Sequence, residues 1–273
     1  ERPAAAGRAL SLPGNAATPA QSAVAYNGSY HTIPGDFPNI TVTTPANGVG
    51  VGNLFLSNFQ STGCSVNAYL LILDNAAEPV FYQALSPCVW AADFKRQPSG
   101  LLTYWDAGTG IFHALDHAYT EVDTFHAGHG YTTDPHDLQI LPNNHALLMS
   151  YDTEVISNTN NVVPNGRITA TVTGLIVQEL DTAKNVVFEW RSWDHFQITD
   201  TTEIYLHSEP VDYVHGNAIE LDTDGNLLLS SRHLNEITKI NRQTGAIIWR
   251  LGGKHNQFKF VGDNRLFSHQ HDI

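Results

Sequence analysis

Beyond about residue 30 the chain is a succession of short apolar runs, broken by turn residues roughly every ten positions. AYLLILDNAAEPVFYQ, GLLTYWDAGTGIFHAL, HALLMSYD, TGLIVQELDTAKNVVFEW and NLLLSSRHLNEITKINRQTGAIIWRL all carry β-branched or aromatic residues, with Asn, Asp or Gly where the runs break. That pattern predicts strands joined by hairpins. No stretch sustains the 3.6-residue period of an amphipathic helix. An all-β fold is expected.

Two segments follow one plan. HDLQILPNNHALLMS (His136–Ser150) and HGNAIELDTDGNLLLS (His215–Ser230) each begin with His, alternate apolar residues, turn at Asn, Asp or Gly, and end in an apolar run closed by Ser. The stretches that follow, Leu175–Trp190 and Ile237–Arg250, match as strand, turn and a strand carrying Trp. A four-strand unit that repeats with Trp near its outer end is the plan of a β-propeller blade. The expected blades are 51–85, 90–125, 136–190 and 215–250, the third with an insertion near 152–170. QHDI at the end has the look of the first strand HDLQI, so a further blade is expected to start near 269. The chain would then hold about four blades and the start of a fifth, an incomplete propeller over 31–273 whose C-terminal remainder is a separate partner segment. Residues 1–30, rich in Ala, Gly, Pro and Ser and without a period, read as an extended N-terminal arm.

Composition narrows the function. A net charge of -13 argues against a nucleic-acid partner, whose phosphates call for a basic patch. No run approaches the roughly 20 apolar residues of a membrane-spanning helix. The two cysteines, Cys64 and Cys88, lack CxxC spacing and read as one structural disulfide of an oxidising compartment. Sequons at Asn27 and Asn39 agree with a secreted, extracellular glycoprotein.

Innermost strands of a propeller line its central channel, and by this plan His136, His215 and His271 begin three successive units. Arg232 closes the second strand of the blade that His215 opens. Neutral imidazoles alone would suit zinc or copper. A nearby guanidinium disfavours a divalent cation and suits an oxyanion, and imidazole is a nucleophile near neutral pH. The set therefore favours transfer of a compact anionic group, phosphoryl or sulfuryl, through a histidine intermediate. No Walker loop or Mg²⁺ site accompanies it, which weakens the phosphoryl version. Neither metal nor other cofactor is expected. The alternatives are a metal-dependent hydrolase or oxygenase using the channel histidines, and a non-catalytic propeller that binds a glycan or protein.

DPHDLQILPNNHALL, YVHGNAIELDTDGNLLLSSRHLNEITKINRQTGAIIWRLGGK and FSHQHDI resemble the PAPS-independent arylsulfotransferase family, bacterial periplasmic enzymes with fungal relatives. The resemblance is strongest over 130–273 and looser over 30–130. It implies a six-bladed propeller in which a channel histidine takes the sulfuryl group from an aryl sulfate and passes it to a phenol. By that resemblance His271 is the transient sulfohistidine. His136 and His215 bind the sulfuryl oxygens or handle the phenolic proton, and Arg232 holds the developing anion. Asn217 and Ser231 support them. Strand alternation would place His269 on the same side as His271; His271 is preferred because Asp272 follows it, as Asp137 follows His136.

Other candidates read as structure. Trp190, Trp193 and Trp249 are expected to pack blades, His126 and His129 to sit in a Gly-rich loop, and Asp222–Asn226 to form a hairpin turn rather than a calcium loop.

Overall fold

The computed structural model describes residues 23–26, 29–58, 67–263 and 265–273. Among the described residues nearly all regular structure is β, in antiparallel sheets of consecutive strands, and the one α-helix, α1 (Glu203–Leu206), is a single turn. Among the described residues no helix is long and apolar enough to cross a membrane.

The chain divides into two compact units, one ending at Thr124 and the other beginning at Phe125. In the first, β1 (Ala23–Tyr26) and β2 (Ser29–Thr32) pair as a hairpin, within and just beyond the stretch expected to be an extended arm. Residues 1–22, with Asn27 and Cys64, lie outside the described residues; Cys88 is disulfide-bonded and Asn39 is exposed. Strands β3 (Leu54–Ser57), β4 (Tyr69–Leu73) and β5 (Pro79–Ala84) form one sheet. A second joins β6 (Ala91–Arg96), β7 (Leu102–Asp106), β8 (Ile111–Leu115) and β9 (Glu121–Phe125). Leu70, Ile72, Phe81, Phe94 and Leu102 share a core there.

The second unit carries every residue expected to do chemistry. Its first sheet is β10 (Thr132–Ile140), β11 (Ala146–Ser157), β12 (Thr169–Leu180) and β13 (Val186–Arg191), with β14 (Val211–Asp212) added in parallel to β12. Its other sheet is β15 (Gly216–Leu221), β16 (Leu227–Ser231), β17 (Glu236–Ile240) and β18 (Ile247–Gly252). The stretch marked as an insertion lengthens a hairpin: β11 and β12 pair continuously from Ala146↔Leu180 to Ser157↔Thr169.

Both sheets share one core, with Leu147, Met149, Leu175 and Val177 from one and Ile219, Leu227 and Leu229 from the other. Trp190 is fully buried in it, its indole N–H donating to the Gly245 carbonyl at 3.1 Å. Residues 222–226 make a hairpin turn, with the Asp222 N–H donating to the Asn226 carbonyl (2.8 Å) and Gly225 at φ +82°. The Lys239 ammonium lies 2.7 Å from Asp222 and 2.6 Å from Asp224, and this hydrogen bonding holds both carboxyls below their usual range.

Residues 253–273 contain no strand among the described residues, where a further blade was expected to start near 269. The segment is fastened by side chains instead. Asn235 Oδ1 accepts from the His269 N–H (2.9 Å), Asn217 Nδ2 donates to the Gln270 carbonyl (2.7 Å), and Gln270 Nε2 donates to the carbonyls of Ser231 (3.2 Å) and Glu236 (2.9 Å). Alternation therefore does not govern His269 and His271, and they make different contacts.

Candidate active site

Two β-bulges place the first two histidines. Between β10 and β11 the register shifts from Thr133↔Ser150 to Leu138↔Leu148, so Asp134–Asp137 bow out of the ladder. Between β15 and β16 it shifts from Gly216↔Ser231 to Ala218↔Ser230, leaving Asn217 as the extra residue. A bulge re-aims side chains without disturbing the ladder beyond it. The bulged strands are neighbours: the Asp137 carboxylate accepts from the Ile219 N–H at 2.7 Å, and the Tyr151 hydroxyl donates to the Gly216 carbonyl at 3.1 Å.

Each of these histidines is steadied by an acid that precedes it. Asp134 Oδ1 accepts from both the backbone N–H (2.9 Å) and Nδ1–H (2.8 Å) of His136. Asp212 accepts the His215 N–H on Oδ1 (3.1 Å) and its Nδ1–H on Oδ2 (2.7 Å). The contacts hold His215 at φ +49°, a left-handed conformation rare for a side-chain-bearing residue. With Nδ1–H committed to a carboxylate, each ring keeps Nε2 as its acceptor nitrogen. Asp137, which follows His136 in sequence, accepts instead from the neighbouring strand.

His136, His215 and His271 offer ring nitrogens that all lie within 4.8 Å of one another. Their ring centroids are 5.3 Å apart for His136 and His215, 6.1 Å for His136 and His271, and 6.0 Å for His215 and His271. His271 is exposed, and its Nδ1 faces the His269 carbonyl at 3.3 Å. His126 and His129 stand elsewhere, on the Ala127 carbonyl and the Glu189 carboxylate.

His233, which the repeat pattern did not single out, stacks on His215 at 4.5 Å. Its Nδ1–H donates to the Asp212 carbonyl at 2.6 Å, and burial pushes its pKa down to about 4, so the ring is neutral at physiological pH. Tyr205, on α1, stacks on its other face at 3.5 Å. The Arg232 Nη1–H donates to the Tyr205 hydroxyl at 2.8 Å. That hydroxyl also lies 3.0 Å from His269 Nε2. Ser231 is buried beside Arg232, and the Asn217 amide grips the segment that carries His271. Tyr151 is buried near Asp134 and Asp212, and burial foremost raises its pKa well above the usual phenol range, so it stays a neutral donor.

Gly216 explains the small residue beside His215. A Cβ there would fall 2.4 Å from Leu175 Cδ2 and 3.2 Å from Met149 Sδ, inside the core under the site. Gly216→Ala should cost about 1–3 kcal/mol by overpacking, read as a lower urea midpoint at unchanged slope.

The molecule is thus an antiparallel all-β protein with a cluster of carboxylate-steadied imidazoles and a guanidinium held nearby. It belongs to the arylsulfotransferase (ASST) family, whose model matches residues 98–273. A search of the curated proteins finds no match. Among solved structures, a protein of unknown function from Bacteroides caccae is 11% identical, covering 74% of this chain and 73% of that one, with a TM-score of 0.36. Streptogramin B lyase is 10% identical, over 76% of this chain and 55% of its own (TM-score 0.37). Virginiamycin B lyase from Staphylococcus aureus with quinupristin is 11% identical, over 90% and 62% (TM-score 0.39).

Proposed function

We propose that this protein is a secreted sulfotransferase that moves a sulfuryl group from a phenolic sulfate to a phenol through a sulfohistidine on His271. The reading rests on family membership and, above all, on one observation: His136, His215 and His271 bring ring nitrogens within 4.8 Å of one another. The sheets are then blades of a propeller, six in the complete protein, and the bulged starts of β10 and β15 face its channel. The Cys64–Cys88 disulfide and glycans at Asn27 and Asn39 accompany secretion.

In the first half-reaction a lone pair on the His271 ring attacks sulfur. An N–S bond forms as the S–O bond to the phenolate breaks. The departing oxygen takes a proton from His136 or His215, each ring oriented by its carboxylate partner. In the second half the acceptor phenol returns that proton as its oxygen attacks sulfur and the N–S bond breaks. Arg232 neutralises the peripheral sulfuryl oxygens, which carry charge throughout. Such transfer depends mostly on placement and charge.

Purified protein given a chromogenic aryl sulfate should release the chromogen in proportion to added phenol, with ping-pong kinetics, and EDTA should leave the rate unchanged. Release that ignores phenol, or none, overturns the proposal. The same triad of imidazoles supports a second reading, a zinc or copper enzyme. Activity lost to chelator and restored by one of those ions would establish it instead.

A further inference from the structure

Tyr205 lies outside the repeated strands, on the short helix between β13 and β14, yet it contacts His233, Arg232 and His269. The segment carrying it is docked on His233, whose backbone carbonyl accepts from the Thr202 N–H and the Thr201 hydroxyl, both at 3.1 Å. That docking lays the phenol ring on His233, and His233 in turn lies on His215. It also puts the Tyr205 hydroxyl between Arg232 Nη1 (2.8 Å) and His269 Nε2 (3.0 Å).

A guanidinium can only donate, so the phenol oxygen accepts from Arg232 and its own proton is left for His269 Nε2. The direction Arg232→Tyr205→His269 goes with the Nδ1–H tautomer of the His269 ring. His269 is two residues from His271, and its carbonyl faces His271 Nδ1. The site has two parts of different origin, the ends of the β15–β16 hairpin flanked by His215 and Arg232 and the strandless C-terminal segment bearing His271. Tyr205 bonds to both.

We propose that Tyr205 is a positioning residue that locks the Arg232 guanidinium to the His269–His271 segment, so that anion binding and the nucleophile are set by one hydroxyl. The inference rests on the oxyanion role given to Arg232 above. A tyrosine whose ring merely packs would do the same without its oxygen, which separates the two roles.

Tyr205→Phe keeps the ring stack on His233 and removes only the hydroxyl. Inorganic sulfate, titrated against ¹⁵N-histidine-labelled protein, should bind the variant about tenfold more weakly, as expected for one lost hydrogen bond to a charged group. In the free protein the variant should also release His269 from its Nδ1–H tautomer, seen in the imidazole ¹⁵N shifts. A cycle with His269→Ala should be strongly non-additive in sulfate affinity. Unchanged sulfate affinity with unchanged His269 shifts overturns the inference and leaves the proposed function standing. Wild-type protein that binds no sulfate overturns the proposed function, while the His269 shifts still decide whether Tyr205 holds the segment. Tyr205→Leu, which loses ring and hydroxyl, should be worse than Phe in thermal stability; Phe matching wild type there assigns its sulfate defect to the oxygen.

Discussion

His271→Asn should abolish phenol-dependent release from an aryl sulfate, by about a thousandfold or more, while leaving the thermal transition in place. Loss of a nucleophile removes the covalent route altogether, and such losses typically run to several powers of ten. The fold should tolerate the change because His271 is exposed and in no strand. The neighbouring anchors, Gln270 on the Ser231 and Glu236 carbonyls and Asn217 on the Gln270 carbonyl, do not involve its ring. Rapid mixing of wild type with donor alone should show a burst of chromogen equal to the enzyme, and the variant should show none. A variant that retains the burst would move the nucleophile to His136 or His215.

The second large effect concerns stability. Arg250, on β18, donates from Nε to Glu236 Oε1 at 2.7 Å and from Nη2 to Asp200 Oδ2 at 3.2 Å, and all three side chains are almost wholly enclosed. Replacing it with methionine fills similar volume but strands the carboxylates. Asp200 keeps the His255 ring (2.8 Å) and the Gln197 N–H (3.2 Å), so the loss falls on Glu236, left with the Thr238 hydroxyl. Breaking a buried pair from one side costs about 3–5 kcal/mol, and Arg250→Met should lower the urea midpoint accordingly at pH 7.

The deficit should depend on pH. Burial pushes the Glu236 carboxyl above its usual range against the pull of Arg250 and Thr238. Removing Arg250 lets it rise further. A carboxyl raised in the folded state adds stability below its unfolded value and loses it as pH climbs through the folded one. The variant's shortfall should therefore shrink as pH falls from 7 toward the ordinary carboxylate range. A shortfall that stayed constant would show that Glu236 does not take up a proton when its partner is lost.

Much of this was legible in the chain. Alternating apolar runs with Asn, Asp and Gly breaks gave an all-β protein, because strand periodicity and hairpin chemistry are local properties. His136 and His215 could be matched because each precedes an alternating apolar run and an Asn, Asp or Gly turn, and repeats expose equivalent positions. The acids that hold them could not be assigned this way. Asp134 and Asp212 precede their histidines by two and three residues, and only a bulge or a left-handed turn brings each back onto its ring. Asp137, adjacent in sequence, is pulled onto Ile219 by a backbone donor left over at the bulge. Tyr205 was invisible for a different reason: it sits between repeats, where no period marks it. QHDI carries strand-like residues, yet among the described residues it is held by side-chain hydrogen bonds rather than by a ladder.

That last feature separates two equilibria that are usually one. The sheets of the second unit close through continuous ladders and a shared core, whereas the segment after Gly253 is fastened near its end by a handful of amide side chains. Such a segment can peel away at far less cost than global unfolding. His271 would leave with it, while His136, His215 and Arg232 stayed with the sheets. The completeness of the site is then a local opening constant of its own, and a preparation can be fully folded by every spectroscopic measure with only a fraction of its molecules ready to react.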